Sequence, residues 1–66
     1  MNVTINNQAR TIDTTMTLSA LLDEMGLDDK RIAIEYNRDI LTREQFPTIN
    51  LQDGDNIEIV NFVGGG

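Results

Sequence analysis

The residues best placed to take part in chemistry are the last three of the sequence, Gly64, Gly65 and Gly66. Glycine loses more conformational freedom on folding than any other residue, so a run of three at a chain end is expected to be flexible. A final glycine also leaves its α-carboxyl group without a neighbouring side chain, which suits a carboxylate that enters a narrow channel and reacts there. We therefore predict Gly66 as the reacting residue, with Gly64 and Gly65 threading it into a partner's active site. The alternative is a frayed end without a function.

The side chains offer little for catalysis by the protein itself. The sequence contains no cysteine and no histidine, which excludes disulfides, cysteine-type zinc sites and the commonest general base. Asp28 and Asp29 are interpreted as a solvated loop, since Lys30 and Arg31 balance their charge, and Tyr36 as a half-buried strand residue. A chain of this length buries only about 60% of its unfolded surface, which leaves little room for an enclosed site. We predict no catalytic residue, no metal site, no bound cofactor and no enzymatic activity.

The net charge of -6 indicates which partners the chain can attract. Nucleic acid and anionic membranes would be repelled, whereas a protein surface rich in lysine and arginine would be attracted. The residues after Met1 show no basic region followed by an apolar run, and no apolar stretch approaches the ~20 residues that span a bilayer. We therefore expect a cytoplasmic location.

Alternation of apolar and polar residues predicts five short strands. They cover approximately Val3–Ile5, Ala9–Ile12, Ile32–Tyr36, Ile40–Leu41 and Asn56–Val63. Turn-forming residues separate them at Asn6-Asn7, Asn37-Arg38-Asp39 and Asp53-Gly54-Asp55. The first four strands therefore form two local hairpins.

One amphipathic helix is predicted between the hairpins. Thr17 suits the N-cap, and leucines recur from Leu18 at the spacing of one helical face. Gly26 stands where a left-handed residue ends a helix, and Leu27 can supply the apolar contact of such a cap. A brief helical turn is predicted at 42–45, with Pro47 ending it and biasing Phe46 towards an extended conformation.

This order of elements predicts a single domain, residues 1–66, with an α+β fold in two layers. We expect a β-grasp: a mixed sheet of four to five strands with one main helix packed across it and a flexible tail at 64–66. The last strand is the natural centre of the sheet and should lie beside the first. The helix should bury its leucines against Val3, Ile5, Ile34, Ile57 and Ile59.

The last strand should present a binding face next to the glycine tail. If Ile57 and Ile59 face the helix, then Glu58, Val60 and Phe62 face the opposite side of the sheet. We predict a partner-binding surface there, since exposed apolar patches rimmed by charge tend to be binding sites. It consists of Glu58, Val60, Phe62 and Val63, with an acidic rim of Asp53, Asp55 and Glu58. The alternative is that Phe62 folds back and fills the edge of the core.

The chain as a whole resembles the ThiS family, the ubiquitin-like sulfur carrier proteins of thiamine (thiazole) biosynthesis. The resemblance is based on four parts of the sequence. The first is the segment 51–55 with the strand 57–63 and the glycine tail that follow it, and the second is the leucine-rich helix 18–27. The other two are Ile34-Glu35-Tyr36-Asn37 and Arg43-Glu44-Gln45-Phe46. It departs from the usual pattern at Arg38, where a glycine is common.

The resemblance implies a sequence of steps at the tail. A ubiquitin-activating-like enzyme, which supplies the ATP and magnesium site, would adenylate the carboxylate of Gly66. Sulfur from a persulfide donor such as a cysteine desulfurase would convert the adenylate to a thiocarboxylate, and thiazole synthase would accept that sulfur. The carrier itself would supply the carboxyl group, a tail long enough to bring that group into each enzyme, and the surface on which the enzymes dock.

Three alternatives share parts of this pattern. The small subunit of molybdopterin synthase has the same fold and a glycine ending, but such proteins are usually longer. A ubiquitin-like protein modifier uses the same activation chemistry. A non-covalent β-grasp binding module would carry the glycine tail without using it.

Overall fold

The computed structural model describes residues 1–13 and 15–62, and these residues form five short strands, one α-helix and two 3-10 helices. The strands are β1 (Asn2–Ile5), β2 (Gln8–Thr11), β3 (Ile32–Tyr36), β4 (Asp39–Ile40) and β5 (Asn56–Asn61). The helix α1 spans Leu18–Glu24, and the 3-10 helices span Asp29–Arg31 and Arg43–Thr48. The predicted flexible tail lies outside the described residues.

Two tight turns fold the chain into hairpins. Asn6 and Asn7, between β1 and β2, have φ angles of 49° and 68°, and Asn37 and Arg38, between β3 and β4, have φ angles of 48° and 74°. Positive φ at both central residues matches the twist of the flanking strands, and asparagine adopts it more readily than most residues. Arg38 therefore takes the left-handed conformation without the glycine that is common there.

The two hairpins meet along β5, which lies at the centre of a five-stranded mixed sheet in the order β2-β1-β5-β3-β4. β5 pairs parallel with β1, where Ile5 is opposite Ile57, and antiparallel with β3, where Ile34 is opposite Ile59. This arrangement confirms the predicted β-grasp and the predicted place of the last strand beside the first.

The helix α1 begins and ends where its capping residues predict. The Thr17 hydroxyl accepts a hydrogen bond from the backbone N–H of Ala20 at 3.1 Å. Gly26 has φ of 73°, and the N–H of Leu27 donates to the carbonyl of Leu22 at 3.0 Å, which is the bonding of a Schellman cap. Between the caps, α1 buries its leucines, each no more than 1% exposed: Leu18, Leu21 and Leu22.

The core lies between α1 and one face of the sheet. Of the sheet residues expected under the helix, Val3, Ile5, Ile34 and Ile57 are buried, whereas Ile59 is only partly buried. The remaining apolar members of the core come from the start of β3, the second 3-10 helix and the loops: Ile32, Phe46, Ile12 and Leu51.

The prediction for the segment around Pro47 is wrong. Phe46 and Pro47 both lie inside the 3-10 helix Arg43–Thr48, and Phe46 is 1% exposed. Each 3-10 turn closes with an i→i+3 bond, such as that from the N–H of Gln45 to the carbonyl of Thr42 at 3.0 Å. Proline therefore costs one bond in a short segment, and burial of the Phe46 ring offsets that cost.

The last strand is shorter than expected. β5 ends at Asn61, although the N–H of Phe62 still donates to the carbonyl of Arg31 at 2.7 Å. Val63 lies outside the described residues. In the part of the chain that the structure describes, no helix has the length and apolar character required to cross a bilayer.

Candidate docking face beside the chain end

The outer face of β5 carries two exposed apolar side chains close to the end of the described chain. Val60 is 61% exposed and Phe62 is 56% exposed, while Ile57, on the opposite face of the strand, is completely buried. The alternation predicted for the strand is therefore present. The alternative in which Phe62 fills the edge of the core is wrong, because more than half of the Phe62 surface is exposed to solvent.

Hydrogen bonds hold β5 up to Ile59 on the side of β1 and up to Phe62 on the side of β3. The side chain of Asn6 continues the pairing beyond β1: its carboxamide oxygen accepts from the N–H of Ile59 at 2.7 Å, and its carboxamide nitrogen donates to the carbonyl of Ile59 at 3.2 Å. On the other side, Phe62 is bonded to Arg31. The backbone that carries Val60 and Phe62 is therefore held in the sheet by hydrogen bonds.

The four residues that follow Phe62 include every residue predicted to react or to thread. Val63, Gly64, Gly65 and Gly66 lie outside the described residues, so their predicted roles stay predictions.

The predicted acidic rim does not form as a group, because two of its three members, Asp53 and Asp55, lie in the turn before β5. Seven residues of extended chain place Asp55 about 20 Å from Phe62. Asp53 is engaged as well, since its carboxylate accepts from the N–H of Asn2 at 2.7 Å. Only Glu58 remains exposed on the outer face beside Val60.

Asp55 is the one buried charged residue in the described chain, at 7% exposure. Its carboxylate accepts from the hydroxyl of Tyr36 at 2.6 Å, from the side chain of Asn37 at 3.1 Å and from the N–H of Gln52 at 2.8 Å. These bonds tie the β3–β4 turn to the loop that leads into β5. The alternation along β5 could have indicated this role, because Asp55 has the same parity as the inward-facing Ile57.

Tyr36 is half-buried, as expected. Burial of the hydroxyl, with the hydrogen bond to Asp55 and the negative charge of that carboxylate, raises the pKa of Tyr36 to about 12. The neutral hydroxyl therefore acts as a structural donor at physiological pH.

The raised pKa predicts how stability depends on pH. The folded state holds the Tyr36 proton more tightly than the unfolded chain, whose tyrosine pKa is about 10. This contribution to stability is therefore complete below pH 10 and is lost as the pH rises through 12. Urea unfolding midpoints measured from pH 8 to 12 should fall over that window. A Tyr36→Phe variant should start lower and show a smaller fall, and an identical fall in both proteins would contradict the assignment.

Two other acidic residues, Asp28 and Glu24, form contacts within the fold. Asp28 caps the first 3-10 helix, accepting from the N–H of Lys30 at 2.9 Å, and lies 3.7 Å from Arg31. Glu24, at the end of α1, forms an ion pair with Arg10 of β2 at 2.7 Å. Among residues 1–13 and 15–62, no group of three acidic residues is arranged to hold a metal ion.

Comparison with known proteins matches residues 3–66 to the ThiS family. The sulfur carrier protein ThiS of Bacillus subtilis is 42% identical over 52 residues, which cover 79% of each chain. The crystal structure of a thiamine biosynthesis protein (ThiS) from Geobacter metallireducens superposes with a TM-score of 0.84 at 32% identity, over the whole of both chains.

A longer class of relatives contains the same region. A thiazole synthase of Paramagnetospirillum magneticum is 39% identical over 66 residues, the whole of this chain. The chain spans about a fifth of the length of that relative and of a second thiazole synthase, from Magnetococcus marinus.

Proposed function

The chain belongs to the ThiS family of sulfur carrier proteins of thiamine biosynthesis, and we propose that it carries sulfur on the carboxyl group of Gly66. A member of this family is a carrier and not a catalyst. The observation that supports the proposal is the extent of the family match, which runs over residues 3–66 and therefore includes the glycine tail.

The carboxylate must be activated before it can accept sulfur. An α-carboxyl group has a pKa of about 3.5 and is ionised at neutral pH, and its negative charge repels nucleophiles. In the proposed first step, a carboxylate oxygen attacks the α-phosphate of ATP and pyrophosphate leaves, which forms an acyl adenylate. The terminal sulfur of a persulfide then displaces AMP, and cleavage of the sulfur–sulfur bond by a thiol leaves a thiocarboxylate on Gly66.

The proposal assigns each reaction to a partner. An adenylating enzyme of the ubiquitin-activating type supplies the ATP and magnesium site, and a cysteine desulfurase or related protein supplies the persulfide. Thiazole synthase accepts the sulfur. The last assignment is supported by relatives that are named thiazole synthase and that contain a region similar to the whole of this chain.

The docking face, made up of Glu58, Val60, Phe62 and Val63, would hold the folded domain against a partner while the glycine tail reaches into the partner's active site. Three extended residues span roughly 10 Å, which is enough to take a carboxylate from the sheet into a partner's pocket. Ordering them costs about 1–2 kcal/mol per residue, so docking of the folded body must offset several kcal/mol. We assign that docking to Val60 and Phe62 with Glu58 and Val63, since the first two are large, exposed and apolar.

Intact mass spectrometry tests the proposal. The protein is incubated with its cognate adenylating enzyme, ATP, magnesium and a persulfide donor, after the mass of the untreated protein has confirmed that the chain ends at Gly66. We expect a mass gain equal to the difference between a sulfur and an oxygen atom, and no gain when ATP is omitted.

Other outcomes point to other functions. Larger conjugates with lysines of other proteins would indicate a protein modifier. No mass change and no pyrophosphate release would indicate a non-covalent binding module. Sulfur transfer to molybdopterin synthase rather than thiazole synthase would indicate the molybdopterin pathway.

A further inference from the structure

Two glutamates face each other across the centre of the outer sheet face. Glu35 of β3 is directly opposite Glu58 of β5, in the antiparallel pair. Side chains at opposed positions of an antiparallel pair lie on the same face, about 5 Å apart at Cβ, and like charges there destabilise the sheet. No other two acidic residues are paired in this way in the described strands.

The fold does not compensate this repulsion. The Glu24 carboxylate is paired with Arg10, and Asp55 accepts three hydrogen bonds. For Glu35 and Glu58, by contrast, no lysine or arginine of the described chain lies within 4 Å. The pair is also partly shielded from water, because Glu35 is half-buried.

The two carboxylates border an apolar hollow. The hollow has a volume of about 160 Å³ and opens to solvent. Ile40, which is 80% exposed, and Val60, which is 61% exposed, stand in its wall. The other residues that line it are Ala33, Ile34, Glu35 and Glu58. The hollow could therefore accept an aliphatic stem, with the carboxylates placed to accept from a cationic end.

We propose that Glu35 and Glu58 together receive a lysine or arginine side chain of the adenylating enzyme, with its alkyl part packed against Ile40 and Val60. This inference rests on the proposed function and extends the docking face from β5 to β3 and β4. A long basic side chain has both parts that the hollow fits: an apolar stem and a charged head with several donors. The hollow adjoins β5, whose continuation is the glycine tail, so an enzyme that takes up the tail comes close to this face.

The proposal predicts opposite effects on stability and on recognition. Neutralising the pair in a Glu35→Gln/Glu58→Gln variant should raise the melting temperature of the free protein by about 2–5 °C, because the repulsion is removed. The same variant should raise the KM of the adenylating enzyme for the carrier about tenfold, because the enzyme's cation loses its partners. The kcat at saturating carrier should change little, since the proposed role of the pair is in docking and not in the reaction of the carboxylate.

An Asp23→Asn/Glu44→Gln variant provides the matched control. It removes the same two charges from exposed positions in α1 and in the 3-10 helix Arg43–Thr48, away from the outer sheet face. Its KM should change less than about twofold, as expected for a general loss of electrostatic attraction. Increased ionic strength should weaken recognition of the wild-type protein more than that of the Glu35→Gln/Glu58→Gln variant.

The outcomes separate this inference from the function on which it rests. If wild-type protein is not adenylated, the proposed function and this inference fall together. If wild-type protein is adenylated and the Glu35→Gln/Glu58→Gln variant has the KM of the Asp23→Asn/Glu44→Gln control, only the basic-residue site is overturned. A higher melting temperature without a change in KM would also overturn the basic-residue site, because the two glutamates would then repel each other without contributing to binding of the enzyme.

Discussion

Removal of Gly66 is expected to abolish adenylation while leaving the domain folded. The shortened chain still ends in a glycine carboxylate, so the chemistry of the terminal group is unchanged. Its position is not: one residue fewer withdraws the carboxylate by about 3.5 Å relative to the docked domain. A misplacement of only about 1 Å can cost a hundredfold in rate, so we expect a loss of at least about a thousandfold. Pyrophosphate release measured at saturating ATP reports this loss directly.

The deletion has a matched control and a clear contrary result. A variant with one added glycine carries the same terminal group at too great a reach, and should also react poorly. Circular dichroism and the melting temperature should match the wild-type protein in both cases, because the packed core lies within residues 3–57. Undiminished pyrophosphate release by the shortened chain would show that the reaction does not depend on the reach of Gly66.

Phe62→Asp is expected to weaken binding to the adenylating enzyme about a hundredfold. Phe62 is 56% exposed, and an aromatic side chain that is buried on binding can contribute about 2–4 kcal/mol as an interface hot spot. Aspartate at that position would in addition place a charge at the centre of an apolar contact. Titration calorimetry or surface plasmon resonance with the purified enzyme measures the effect.

Two further variants separate contact from charge. Phe62→Leu keeps an apolar side chain and should retain most of the affinity, whereas Thr15→Asp adds the same charge in the exposed loop before α1. Neither Phe62 variant should lower the melting temperature by more than a few degrees, since the side chain lies outside the core. Unchanged affinity of Phe62→Asp would remove Phe62 from the docking face.

Local patterns were sufficient to predict the fold because each signal acts over a few residues. Thr17 and Gly26 mark the ends of α1 by bonds to residues three to five positions away. The alternation along β5 likewise predicted which side chains face water, and that pattern located Val60 and Phe62. The resemblance to the ThiS family then supplied the identity of the carrier, which the alternation alone does not contain.

The features that sequence reasoning missed depend on long-range contacts. The sequence analysis places Asp55 in the acidic rim of a binding surface, but Asp55 is buried and its hydrogen-bond donors include Tyr36, which is 19 positions away. Phe46 was expected to be extended because proline follows it, yet burial under α1 outweighs that local preference. The Glu35–Glu58 pair became visible only with the register of β3 against β5.

The central position of β5 has a mechanical consequence for a protein that is held by its end. Tension applied beyond Phe62 runs along β5, which is flanked by β1 on one side and β3 on the other. Its hydrogen bonds to β3 are perpendicular to the direction of pull and those to β1 cross it at a slant, so the bonds are loaded together instead of breaking one after another. A partner enzyme could therefore pull on the C-terminal end of the chain without separating β5 from the neighbouring strands.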